Sequence, residues 1–255
     1  MQTRDTSDPL CKPTEPNMIN AENDISLFAD ATSGSGAKSA AQRAYDDLRA
    51  RIVSMELAPD ATLSRVELSA AYDVSQTPIR EALQRLEQDG LVRIYPQSRT
   101  VVTRIDVAQL YESHFLRNAL ECEVVRQIAL DPPAPLIARL RTLLRMQDAI
   151  AGDMTQIAVF NELDDAFHRA MFDAVGQTSL YFLVRSRSGH LARARRLDLP
   201  KGGKTRAILR GHGAIIDAIE AGQTVAAQDA LRQHLTGTVA RIAELIDEFP
   251  DYFRT

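Results

Sequence analysis

The chain has 255 residues, of which 45% are hydrophobic, 25% charged and 5% aromatic, with no tryptophan and a formal net charge of −4. That length suits one large domain or two modest ones, and a core built from Leu, Ile, Val and Ala favours helices over a β-sandwich or barrel. No uncharged apolar run approaches the ~20 residues that span a bilayer, no apolar h-region opens the chain, and Cys11 and Cys122 make no disulfide framework, so a cytoplasmic protein with no membrane partner is expected.

Residues 1–36 carry two basic and six acidic groups, Pro9, Pro13 and Pro16, and the run Ser33-Gly34-Ser35-Gly36. This composition predicts a disordered tail, because it buries too little apolar surface to offset ordering entropy. Residues 37–104 hold ten basic and nine acidic groups and form the least acidic stretch. DNA binding needs a basic face rather than a basic total, so the overall acidity excludes little.

From Lys38 the pattern turns helical. Ala41, Ala44, Tyr45, Leu48, Ile52, Val53 and Met55 recur at three- and four-residue spacing. Leu57-Ala58-Pro59-Asp60 stops this helix. Ser64 with Glu67 reads as a capping box for a short second helix, with Leu68 and Ala71 on its apolar side. A tight turn at Asp73 leads to a third helix, with Thr77 as cap, Pro78 at its first position, Ile79, Leu83 and Leu86 as its stripe, and Gly90 as its stop. The runs 91–95 and 100–104 then alternate with period two around Pro96-Gln97-Ser98-Arg99, which reads as a hairpin.

Three helices and a hairpin make a winged helix-turn-helix, whose third helix projects into a major groove. Its first turn holds short polar side chains, Ser75, Gln76 and Thr77, suited to base edges or phosphates. Arg80, one turn in, can clamp a phosphate or a guanine. The stretch 74–92, Val-Ser-Gln-Thr-Pro-Ile-Arg-Glu-Ala-Leu-Gln-Arg-Leu-Glu-Gln-Asp-Gly-Leu-Val, resembles the signature of the GntR family of bacterial transcription regulators. The resemblance implies that Arg80 and the first turn of this helix contact an operator, with the wing tip near the minor groove. Gln76 stands where the family usually has Arg, and Arg99 where the wing often has Gly. Gln pairs with adenine and Arg with guanine, so a shifted base preference is expected. Arg99 gains reach toward phosphates or a narrow minor groove. Arg65, Arg85 and Arg49 are further candidate phosphate contacts, each equally able to face water or pair with an acid.

Residues 106–255 read as helices near 106–130, 135–151, 155–175, 178–198, 204–221 and 223–248, which suggests an antiparallel bundle. Asp164 and His168 lie four apart and share a helical face. His212 and His234 fall on separate helices with apolar neighbours. Three imidazoles and a carboxylate converging in a bundle would hold a metal with open positions, but spacing alone leaves ordinary core or surface histidines as the default. The stretch 161–176, Asn-Glu-Leu-Asp-Asp-Ala-Phe-His-Arg-Ala-Met-Phe-Asp-Ala-Val-Gly, looks like the signature of the FCD domain, the helical effector domain of FadR-like GntR regulators. That resemblance implies Asp164, His168, His212 and His234 as ligands of a divalent metal, with Zn²⁺ expected and Ni²⁺ or Mn²⁺ also acceptable to the set. Asp165 points about 100° away around the helix.

The chain is accordingly expected to be mainly α, a winged helix-turn-helix (37–104) followed by an all-helical effector-binding and dimerisation bundle (105–255). As a homodimer it would present two recognition helices to a palindromic operator, acting as a repressor. A small carboxylate or hydroxy-acid effector would bind at the metal, with Arg117 pairing a second acidic group. Of Arg193, Arg195 and Arg196, one is open to an inward role; His114 and His190 are ordinary residues in this reading. The rival is a metal-dependent hydrolase using the same Asp/His site.

Overall fold

A computed structural model describes residues 38–96 and 98–254. The expected tail at 1–36, Cys11, and Gln97 in the hairpin turn lie outside the described residues. Helix α1 (Ala40–Val53) is capped by the Ser39 hydroxyl, which accepts the Gln42 N–H, and it buries Ala41, Ala44, Tyr45, Leu48 and Ile52. After β1 (Thr62–Leu63), Ser64 accepts the Glu67 N–H and opens α2 (Arg65–Ala71), as the capping pattern predicts. Only Leu68 of α2 is buried; Ala71 is exposed, and Tyr72 and Val74 pack on the core in its place. Asp73 takes φ 51° in the tight turn.

Helix α3 (Gln76–Gln88) starts earlier than the sequence suggests. Its N-cap is Ser75, not Thr77, and Ser75 makes no side-chain cap bond. Pro78 therefore stands third in the helix, where its missing N–H is still among the unneeded first donors. Ile79, Ala82, Leu83 and Leu86 are buried, and Gly90 follows at φ 76°. The hairpin is β2 (Val92–Ile94) with β3 (Thr100–Val102), antiparallel with Val92 opposite Val102. A third strand was not expected: β1 pairs on the other edge of β3, giving the order β1-β3-β2. Two residues are too few to display a period.

The second half begins with β4 (Ile105–Asp106) and continues through α4 (Val107–Leu130), α5 (Ala134–Ile150), α6 (Ile157–Ala174), α7 (Thr178–Arg187), α8 (Gly189–Asp198), α9 (Lys204–Glu220), α10 (Thr224–Val239) and α11 (Ile242–Glu248) to β5 (Phe253–Arg254). Two expected helices are each broken in two. The segment 178–198 breaks at Ser188, where Gly189 runs so close to the winged half that a Cβ there would lie 2.6 Å from the Leu91 side chain. The segment 223–248 breaks at Ala240-Arg241. β5 pairs in parallel with β4, Phe253 opposite Ile105, a long-range contact with no local sequence signal. In the bundle α10 packs on α4 and α9, and α5 on α6 and α9, around Val125, Leu140, Phe167, Phe172, Ile216 and Leu231. No helix of the described residues is long and apolar enough to cross a membrane.

Candidate metal centre and nucleic-acid interface

Helix α6 carries Asp164 and His168 one turn apart on its buried face, α9 carries His212 and α10 His234. One ligand atom from each lies within 4.8 Å of the others. The Nε2 atoms of His168 and His234 face each other at 3.3 Å. His212 Nε2 is 3.5 Å from Asp164 Oδ1, yet neither atom makes a hydrogen bond. Buried polar atoms are normally satisfied, so these two orphans and the facing imidazoles fit a divalent cation between them.

Neighbouring helices fix how these ligands point. His212 Nδ1 meets Gln147 Oε1 from α5 at 2.9 Å, and Gln147 in turn donates to the Phe160 carbonyl. His168 Nδ1 lies 2.7 Å from Glu121 Oε2 on α4. Such partners select the tautomer that turns Nε2 inward. Asp164 Oδ2 accepts from Arg195 Nη2 of α8 at 2.8 Å. Gly211 makes room for His234, since a Cβ there would lie 2.7 Å from the His234 Nδ1.

The electrostatics suit metal binding as well. Burial pushes the Asp164 carboxyl up, but Arg195 and then the three imidazoles outweigh it and hold the group well below the usual carboxylate range. Burial pulls His212 down to about 3 despite Asp164, and burial with the neighbouring imidazoles pulls His234 down too. His212 and His234 are therefore neutral near pH 7, with lone pairs available. Glu121 resists its own burial and falls to about 2 because Arg117 and His168 stabilise its anion.

The centre opens onto a cavity of about 430 Å³ lined by Arg117, Arg195, Lys204, Arg210 and His234 among others. Arg117 is buried, and its Nε donates to Glu121 Oε1 at 2.7 Å. Lys204 pairs with the buried Asp198. Of the three clustered arginines, Arg195 reaches Asp164, and Arg193 also turns inward, but toward the linker between the halves. Glu121 and Gln147 were missed by the sequence reading. Glu121 sits four residues after Arg117, a visible helical pair, whereas nothing local marks Gln147.

On the winged half, Arg65, Gln76, Arg80 and Arg99 line one groove of about 510 Å³ between the α2 and α3 openings and the wing. Ser75 and Thr77 are exposed beside it. Arg85 does not line this groove. Its guanidinium stacks over the Tyr45 ring at 3.9 Å and donates to Gln42 Oε1 on α1. Arg49 donates to the Arg185 carbonyl of the helical half. His190, read as ordinary, is buried and accepts the Asp106 N–H at 3.0 Å.

Residues 40–102 match the bacterial regulatory proteins of the gntR family, and residues 110–237 match the FCD domain. The chain is 34% identical to an HTH-type transcriptional regulator in an unstable DNA locus of Streptomyces ambofaciens, covering 83% of this chain and 88% of that protein. It is 30% identical to the HTH-type transcriptional repressor RspR of Escherichia coli K12, covering 83% and 92%. Among solved structures, E. coli McbR/YncC shares the fold at a TM-score of 0.68 and 22% identity over 84% of this chain and all of that one. A GntR regulator from Rhodococcus sp. RHA1 matches at a TM-score of 0.61 and 26% identity, covering 81% and 99%. The two sequence relatives and the Rhodococcus structure are named as transcriptional regulators, and nothing in them supports the hydrolase reading.

Proposed function

The chain belongs to the GntR family of bacterial regulatory proteins with a C-terminal FCD domain, and from that premise we propose a repressor whose operator affinity is set by a small organic acid bound at a metal in the helical half. In this reading residues 37–104 read the DNA and residues 105–255 bind the effector and form a homodimer in the cytoplasm. Arg80 and Gln76 at the opening of α3 face base edges in a palindromic site, flanked by Ser75 and Thr77. Arg65 and Arg99 hold phosphates or the minor groove. Arg85, stacked on Tyr45, steadies α3 against α1 instead.

The observation that carries the sensing half is the set of four donor atoms within 4.8 Å at the end of a cation-lined cavity. Asp164, His168, His212 and His234 would hold Zn²⁺, or Ni²⁺ or Mn²⁺. Such an ion, where it takes more than four ligands, would offer a position to a carboxylate or hydroxyl oxygen. Arg117, paired with Glu121, and Arg210, which lines the same cavity, offer charge to a second acidic group. If the effector weakens operator binding, operator DNA weakens effector binding by the same factor.

Metal content of the purified protein, measured beside the Asp164→Ala, His168→Ala double variant, tests the site. One ion per chain in the wild type and loss in the variant is the expected result. A wild type that takes up no ion even from added Zn²⁺ refutes the metal reading. Arg80→Ala should cost about 1–3 kcal/mol of operator binding with the fold intact, and unchanged affinity would refute the assigned docking.

A further inference from the structure

Helix α8 touches both ends of the molecule's business. In its last turn, Arg195 Nη2 holds Asp164 Oδ2 at 2.8 Å. Two residues earlier, Arg193 is fully buried; it donates to the Thr103 carbonyl, reaches Thr103 Oγ1 at 3.3 Å and lies 2.9 Å from His190 Nδ1. His190 Nδ1 also accepts the Asp106 N–H. Thr103 closes the chain of contacts by donating its hydroxyl to the Gly90 carbonyl at 2.6 Å, at the turn that ends α3. One ten-residue helix therefore joins a metal-site carboxylate to the linker and to the C-terminal end of the recognition helix.

The chemistry of the two arginines differs. Arg193 makes its hydrogen bonds to neutral partners, so burial of its guanidinium gains little stability, but it ties α8 to the linker with directional bonds. Arg195 answers a charge. The Asp164 carboxylate is shared between Arg195 and the imidazoles of His168 and His212, at 3.9 and 3.5 Å. Any cation seated among the four donors draws on the same carboxylate and repels the guanidinium.

We propose that Arg195 is a positioning residue that reports occupancy of the Asp164 site to the DNA-reading half. When the demand on Asp164 changes, Arg195 shifts, α8 moves as a rigid unit, and the grip of Arg193 and His190 on Thr103–Asp106 changes with it. Coupling requires contacts that differ between two states at both ends, and the Arg195–Asp164 and Arg193–Thr103 bonds are the contacts that would differ. The inference rests on the metal-site reading above.

The test uses the full chain and Zn²⁺ alone. Deuterium exchange of the Thr103–Asp106 amides is followed with and without saturating Zn²⁺, beside calorimetric titration of the metal. In the wild type Zn²⁺ should change exchange in this segment by about fivefold or more. Arg195→Met should still bind Zn²⁺ but change exchange by less than about twofold. Arg193→Met, remote from the ligands, should keep Zn²⁺ affinity within about threefold and also lose the response, which keeps the test open if Arg195→Met does not fold. Zinc-loaded wild type with an unchanged segment, or zinc-loaded Arg195→Met with the full response, overturns the proposal. A wild type that binds no Zn²⁺ overturns the metal reading itself, and the proposal with it.

Discussion

Gly211 shows how closely the candidate metal centre is fitted. A methyl group there would lie 2.7 Å from His234 Nδ1 and 3.2 Å from its Cβ, so the imidazole must move. Gly211→Ala should leave the fold intact yet lower Zn²⁺ affinity by roughly 10–100-fold, the scale seen when a ligand's surroundings are disturbed; competition with a chromogenic chelator measures it, and wild-type affinity would show that the ring tolerates displacement. His190 supports a pH prediction. Burial, with Arg193 adding to it, pulls its imidazole from 6.5 to about 3. Between those values the unfolded chain binds a proton that the folded chain refuses, so this group's contribution is complete above pH 6.5 and is lost as pH falls toward 3. His190→Gln should flatten acid destabilisation by on the order of 1 kcal/mol per pH unit in that window, read from urea midpoints at stepped pH; an unaltered slope would sink the assignment. The four clustered donors, Asp164, His168, His212 and His234, stood out only through the family signature, since a four-residue Asp–His spacing is common by chance. Glu121, Gln147 and Arg195 act across helices α4, α5 and α8, and no spacing within one helix announces a partner on another.

At the scale of elements, legibility follows how local the cause is. Helix α1, the α2 cap at Ser64 and the β2–β3 hairpin were readable because caps, periods and turn residues sit next to what they control. The break at Ser188–Gly189 was not, because the close approach of Leu91, nearly a hundred residues away, coincides with it. β1 and the β4–β5 pair were missed for the same reason: two-residue strands are defined by their partners. Gly90 combines both kinds of cause. It takes φ 76° to end α3, which the sequence announces, and a side chain there would run into Gln109 and His190 from the helical half, which it does not. Gly90→Ala should therefore cost about 1–2 kcal/mol from the left-handed backbone alone, and more from the clash. Urea unfolding checks this; a loss below that range would mean that the turn relaxes and Gln109 and His190 give way.

The whole molecule is held along a seam distinct from either main core. Ile105 of the linker, Leu110 of α4, Leu191 and Ala194 of α8, Ile242 and Leu245 of α11 and Phe253 of β5 form one buried cluster. The winged half has its own cluster around Leu48, Ile79, Leu83 and Leu86, and the bundle another around Phe167 and Leu231. Leu191 and Ala194 place α8 in this seam, so the coupling proposed for α8 needs a seam firm enough to carry a shift from one half to the other. Phe253 is its C-terminal member, 5% exposed and opposite Ile105 in the parallel pair. Removing its ring leaves a cavity beside the linker, and Phe253→Ala should lower stability by about 3–4 kcal/mol. The loss should be uneven. Amides of β4, α8 and α11 should exchange faster, because their contacts end at the cavity, while α1 and α3 keep their protection within the winged cluster. Residue-resolved hydrogen exchange on the variant separates the alternatives. Equal loss of protection in all three clusters would mean that the chain unfolds as one unit and that the seam has no separate stability through which the halves could shift.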